Sequence, residues 1–262
     1  MISVSVAVIE IAGRGDAALA EALAAAPLVL GQVWRKGTGT VPHRRALALE
    51  ACAEDALLIV EDTVRLAAGW LDAVHDALAD SGVGAASGPV RPGPALDPAG
   101  RAWALHEYSG WSSPPSRPPD ALPGHLLLLR TAAARAAVGS GHPIREDELF
   151  AGLSRAGFGL RIVDGLSAQV VATDPSGTRL RGQLQHGRGW AARESARAGW
   201  RPLHRVARLA GWPVTAALRS REALGNASSK AVAGRVLALS AAWAIGEGIG
   251  AVFGPGSEEH WS

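Results

Sequence analysis

Short apolar runs alternate with segments of helical spacing through the first two thirds of this 262-residue chain, and that alternation restricts the fold more than any other feature. Ile2 to Ile11 alternates in polarity and is rich in Val and Ile, the pattern of a strand. Asp16 then opens "DAALAEALAAAP", read as a helix with an acid at its N-cap and Pro27 as its stop. "LVLGQVW" is a second strand-like run, followed by a glycine turn and a helix in "HRRALALEACAED". Leu57 to Val60 forms a third strand, and Trp70, Leu71, Val74 and Leu78 share one face of the next helix. Such alternation predicts an α/β fold whose mostly parallel sheet is flanked by helices. In open sheets of this kind ligands bind beyond the carboxyl ends of the strands.

Two groups of acids occupy positions of that sort. Glu61 and Asp62 directly follow the apolar run 57–60, where a carboxylate is costly unless it is solvated, paired or bound to a cation. Two neighbouring carboxylates can hold a hard divalent ion that in turn bridges phosphates; polar turn residues ending a strand are the plainer reading. The second group lies in "LPGHLLLLRTAAARAAVGSGHPIREDELFAGLSRAGFGLRIV", residues 122–163. Leu149, Phe150, Leu153 and Ala156 define the inner face of a helix, which places Glu146, Asp147 and Glu148 in its first turn. The helix dipole favours acids there. One of them facing a crevice could equally accept the proton of an attacking hydroxyl.

Charge divides the chain. Residues 1–177 carry 14 Lys and Arg against 19 Asp and Glu, a net of −5, whereas residues 178–262 carry 12 against 5, a net of +7. A basic tail on a faintly acidic body suits an anionic surface. Nucleic acid is a poor fit, because no reader motif accompanies the arginines and aromatic residues make up only 5% of the chain, which leaves few stacking platforms. The single cysteine, Cys52, excludes an intramolecular disulfide framework and suits a reducing compartment. With no basic leader before the first strand, the expected location is the cytoplasm.

Taken in order, these segments resemble an inverting family 2 glycosyltransferase of the GT-A fold, and the resemblance runs through nearly the whole chain. An Arg-Asn pair in the helix before the acidic strand is matched in place by Arg44-Arg45. The acidic motif followed by Gly-Trp-Leu is matched by "EDTVRLAAGWL" with Gly69, Trp70 and Leu71. The aromatic Glu-Tyr-Gly segment corresponds to "HEYSGW" with Glu107 and Tyr108. A Leu-Pro-Gly-Asn strand with an Arg corresponds to "LPGH" with Gly124, His125 and Arg130. Glu146 follows near a helix start, and "HGRGWA" supplies the distal element with His186 and Arg188. "AWAIGEGIGAVFG" is similar to the apolar Gly-Glu segment with which many such enzymes end.

The resemblance implies transfer of a sugar from a nucleotide-sugar donor to an acceptor hydroxyl with inversion. Glu61 and Asp62 would hold a divalent metal, Mg2+ or Mn2+, and with Glu10, Arg44, His186 and Arg188 would form the donor side. Glu146 would be the catalytic base, with Asp147 as its nearest substitute. Glu107, Tyr108, Gly124 and His125 fall on the acceptor side. The chain departs from the family in four places. Its first strand reads "VAVIEIAG" and retains only Glu10 as a base-binding side chain. Its second, "LVLGQVWRKGTG", has no acid. Thr63 stands where a third acid is common, and Arg45 replaces the usual Asn. A catalytically impaired relative, binding a sugar nucleotide or serving as a scaffold in a biosynthetic pathway, is the alternative these departures keep open.

Domain limits follow from the same reading: a GT-A-like domain over residues 1–180 and a basic amphipathic helical extension over 181–262. In the extension, arginines recur among apolar residues with Trp190, Trp200 and Trp212 interspersed, a composition suited to a helix lying in a membrane interface. Residues 231–253 are long enough to cross a bilayer but contain Arg235 and Glu247, each costing roughly 2.5 to 3.5 kcal/mol near its centre. Peripheral contact with the inner face of the cell membrane is the expectation, with a lipid-linked or a small-molecule acceptor.

Overall fold

The computed structural model describes residues 2–24, 30–35, 37, 39–112, 119–139, 141–173 and 180–256. The helix stop expected at Pro27 lies outside the described residues. By its internal contacts the chain forms two compact units, one of residues 1–91 and 111–172, the other of residues 92–110 and 173–261.

The first unit is α/β. Its elements are β1 (Val4–Ile9), α1 (Gly15–Ala24), β2 (Leu30–Trp34), α2 (Val41–Ala51), β3 (Ala56–Glu61), β4 (Val64–Leu66), α3 (Trp70–Ala79), β5 (Val83–Ser87) and β6 (Val90–Pro92). Beyond residue 111 come β7 (Leu126–Arg130), α5 (Thr131–Val138), α6 (Glu146–Arg155), β8 (Gly159–Ile162) and β9 (Ala168–Val170). Six strands form one sheet in the order β2-β1-β3-β7-β5-β8. Only β7 runs antiparallel to its neighbours β3 and β5; the other pairings are parallel. The mostly parallel sheet flanked by helices, a GT-A-like arrangement, is thus the observed fold. A second, small sheet has the order β4-β9-β6.

Burial explains the strand sequences. Residues 56–60 and Leu126 to Leu129 are buried along their whole length, as a central strand covered on both faces requires. Each fully buried leucine contributes about 2 kcal/mol of apolar transfer energy. On α3 the inward face is Trp70, Ala73, Val74, Ala77 and Leu78, while Leu71 is only partly buried. On α6, Leu149, Phe150 and Leu153 are buried but Ala156 is exposed, because the helix has already ended at Arg155. Asp16 lies inside α1 rather than capping it, and pairs with Arg35 at 2.7 Å.

The second unit is helical: α4 (Pro98–Tyr108), α7 (Leu180–Arg197), α8 (Pro202–Ala210), α9 (Trp212–Gly225) and α10 (Lys230–Phe253). The helical unit begins at residue 173, and it recruits residues 92–110 from the middle of the sequence because α4 packs on α10 and α9. A β-carbon at Gly187 would overlap the Trp243 carbonyl, and one at Gly246 or Gly250 would overlap the carbonyls of Leu184 or Arg188. The α7 and α10 backbones therefore pack directly against each other. Half of the apolar window of α10 is buried inside the unit, although the helix is long and apolar enough to cross a bilayer.

Candidate functional site

At the carboxyl ends of β1 and β3 the chain must satisfy several polar groups at once, and Asp62 and Arg45 do most of this. Asp62 is fully buried immediately after β3. Its Oδ1 accepts the backbone N–H groups of Ile11 and Ala12 at 2.8 Å, and its Oδ2 accepts that of Arg14 at 2.6 Å. Arg14 also donates from Nη1 to the Asp62 carbonyl at 2.8 Å. Both carboxylate oxygens are thus engaged in holding the loop after β1. The register of the two strands, which pairs Ile9 with Glu61, brings that loop within reach.

Arg45, on α2, is buried with its guanidinium among three oxygens. Nη1 donates to Glu146 Oε1 at 2.6 Å, and Nη2 donates to Glu61 Oε1 at 3.1 Å and to the Gly124 carbonyl at 3.0 Å. Glu146 is 101 residues further along the chain, so the sheet and α6 together bring the two acids to one cation. The Glu61 side chain is 12% exposed and that of Glu146 40%, which leaves Glu146 as the acid open to solvent. A β-carbon at Gly124 would overlap the Glu146 carboxylate where it now stands.

Burial raises Glu61 to about 7; Arg45 opposes this shift, and Glu146 and Asp62 add to it. Arg45 itself is raised: burial alone would lower it, but Glu146 and Glu61 outweigh that cost. The His125 backbone carbonyl accepts from the Glu61 N–H at 2.8 Å, and its imidazole is pushed down to about 3, first by burial and then by Arg45. It is neutral at ordinary pH.

The other expected residues are placed as follows. Arg44 is buried and donates from Nη1 to the Glu10 carbonyl at 2.6 Å, while the Glu10 side chain accepts from Arg35 at 3.3 Å. Asp147 is exposed in the first turn of α6. Arg130 is structural: it donates to the carbonyls of Val83, Leu78 and Asp80, tying β7 to the end of α3. Glu107, Tyr108, His186 and Arg188 belong to the helical unit. There Glu107 accepts from Gln183 at 2.8 Å, Tyr108 stacks edge-on against Trp103, His186 meets the Trp243 ring edge-on and Arg188 donates to the Gly254 carbonyl at 2.8 Å. The structure therefore gathers Glu61, Glu146 and Gly124 around Arg45, with Asp62 and His125 beside them. Arg14 is the site residue that sequence reasoning did not single out, and Arg45 was read there only as a departure from the usual Asn. The signal for Arg45 was the cation standing in the Asn position one helix before the acids.

No family model matches the chain, and no curated protein matches it. Among solved structures the fold is similar to that of the mannosyltransferase PcManGT from Pyrobaculum calidifontis, determined in complex with GDP-Man and Mn2+. The likeness has a TM-score of 0.54 over 94% of this chain and 87% of that one, at 13% identity. In the present chain the two acids expected as metal ligands do not fit that task as they are placed. Asp62 spends both oxygens on backbone N–H groups, and Glu61 is held by Arg45. Among the described residues no group of three or more His, Cys, Asp and Glu side chains could hold a metal ion.

Proposed function

We propose that the α/β unit transfers a sugar from a nucleotide-sugar donor to an acceptor hydroxyl with inversion, in the manner of the family 2 enzymes. The observation that carries this reading is the meeting of Glu61 and Glu146 on Arg45 at the carboxyl end of the parallel strands. The likeness of the fold to that of a mannosyltransferase bound to GDP-Man supports the donor class.

In the proposed reaction the acceptor oxygen attacks the anomeric carbon from the face opposite the nucleotide. The bond from that carbon to the diphosphate oxygen breaks, and the nucleoside diphosphate leaves with the bonding electrons. The acceptor's proton passes to Glu146, whose carboxylate Arg45 fixes in direction while 40% of the side chain stays open to solvent. A positioned base of this kind contributes roughly a hundred- to ten-thousand-fold in rate.

Glu146→Gln is the test. Calorimetric titration with a nucleotide-sugar panel beginning with GDP-mannose should give donor affinities within about threefold of the parent, while transfer falls by about a thousandfold. Unchanged transfer removes Glu146 from the reaction. Silence of the parent protein across the whole panel favours the scaffold reading instead.

For the acceptor, the same proposal extends to a hydroxyl presented at a cytoplasmic membrane surface. On α8 no residue is buried, and Leu203 and Val206 stand exposed among Arg201, Arg205 and Arg208; Val214 and Leu218 are exposed on α9. Apolar side chains flanked by arginines suit an anionic interface. Flotation with phosphatidylglycerol vesicles but not with phosphatidylcholine vesicles is the expected result, and equal recovery in both lipids or in neither refutes the extension.

A further inference from the structure

We infer that Arg45 is the resident cation of this site, and that the chain takes no divalent metal between Glu61 and Glu146. The inference rests on the assignment of these acids to a donor site, and it goes further by replacing the ion such a site is expected to recruit.

Three oxygens from three separate segments surround the guanidinium: Glu61 Oε1 at the end of β3, Glu146 Oε1 at the start of α6, and the Gly124 carbonyl before β7. Two carboxylates and a carbonyl are the donor set a hard divalent ion selects. Here a side chain of the protein fills it. Arg45 is only 3% exposed, so the guanidinium cannot leave for water without abandoning the largely buried Glu61 carboxylate as well as the part-exposed one of Glu146, and losing one partner of a buried ion pair is strongly unfavourable. A divalent ion sharing Glu61 Oε1 would lie a few ångströms from a fixed positive charge and meet direct repulsion. The remaining acid is a poor alternative, because three of the roughly four acceptor sites of Asp62 already hold backbone N–H groups and Thr63 stands next to it in place of a further carboxylate. An arginine also differs from an ion in permanence: it cannot be chelated, and it does not titrate in the working pH range. Charge neutralisation at this point is therefore built into α2.

The test begins with metal-stripped parent protein titrated with Mn2+ alone, reading the paramagnetic resonance of the free ion. The expected signal is that of buffer without protein. Capture of one ion per chain that is lost in Glu61→Gln overturns the inference. R45Q vacates the oxygen set and is expected to capture about one Mn2+ per chain, with E61Q added to R45Q abolishing the capture; a folded R45Q that takes up none overturns the claim that these oxygens form a cation site. Should R45Q fail to fold, R45K keeps the charge and supplies the comparison. Freedom from Mn2+ is expected of it, and uptake equal to one ion counts against the inference. Finally, donor titration in EDTA and in Mn2+ should give affinities within about twofold, whereas a tenfold gain with Mn2+, about 1.4 kcal/mol, overturns the inference. Absence of donor binding in both buffers fails the transferase reading and leaves the Mn2+ titrations to decide this one.

Discussion

The two units each hold the same chemical pair, an arginine with a glutamate, with one member buried, and use it differently. In the α/β unit Arg45 joins oxygens from three segments distant in sequence, and one of them, Glu146, remains open to solvent. In the helical unit Glu247 pairs with the part-exposed Arg208 at 3.1 Å and accepts from Trp243 Nε1 at 2.8 Å, its own carboxylate buried within the packing of α10 against α7, α8 and α9. Arg219 lies nearby with its guanidinium 3.8 Å from the centre of the Trp243 ring. A buried ion pair by itself therefore says little about chemistry. What separates the two is whether a carboxylate is still accessible to another molecule.

Glycine substitutions break the comparison most sharply, because the same added methyl meets different obstacles. In the helical unit a double change, Gly246→Ala with Gly250→Ala, pushes carbon into the carbonyls of α7, which cannot move without separating the helices. About 3 kcal/mol of stability should be lost after allowing for the better helix propensity of alanine, measured by urea unfolding of the whole chain. In the α/β unit Gly124→Ala meets side-chain ends rather than backbone: the Glu146 carboxylate, which can swing aside, and Arg45 Nη2 at 3.1 Å. Transfer should fall by about a hundredfold while the unfolding midpoint hardly changes, since misplacing a reacting group by about 1 Å has that effect on rate. A stability loss in Gly124→Ala as large as that of the helical double variant would erase the distinction.

Acid sharpens the contrast at a smaller scale. His106, in the helical unit, bonds Ser240 at Nδ1 and Gln183 at Nε2, each at 3.1 Å, and burial lowers it to about 4. The unfolded chain then binds the extra proton first. The stabilisation is complete above pH 6.5 and is lost as pH falls toward 4, about 2 kcal/mol by pH 5. In the α/β unit His125 behaves likewise, but Glu61, raised to about 7, has the opposite slope between 4.5 and 7 and offsets it. Amide protection factors, corrected for the intrinsic pH dependence of exchange, should therefore fall more in α7 and α10 than in β1 and β3 when pH is lowered from 7 to 5, and His106→Gln should remove the difference. The smallest effect is expected for Glu247→Gln, which keeps the Trp243 hydrogen bond but strips the countercharge from the part-exposed Arg208: about 1 kcal/mol by thermal unfolding, with no change in transfer.

How far the sequence discloses this molecule depends on what periodicity can encode. The strands β1 and β3 and the inner faces of α3 and α6 are legible because alternation and helical spacing report which side is buried. Direction and partner leave no such trace: the run Leu126–Arg130 looks the same whether it pairs parallel or, as it does, antiparallel with β3. For the same reason α4 reads as part of the α/β domain, although its buried face belongs with α10. At the site, Glu61 and Glu146 were readable from position, one at a strand end and the other at a helix start. The engagement of Asp62 by main-chain N–H groups was not, since a backbone donor has no letter in the sequence. Nor does the sequence disclose that Gly187 serves the close approach of α7 to α10.

The hold that Asp62 has on the turn after β1 depends almost wholly on main-chain donors, those of residues 11, 12 and 14. These hydrogen bonds are consequently indifferent to which side chains sit at 11 and 12, although Ile11 also packs against the core. Evolution is free to redecorate this stretch of the molecule without redrawing it, so a change in what is recognised there need not be preceded by any change in architecture.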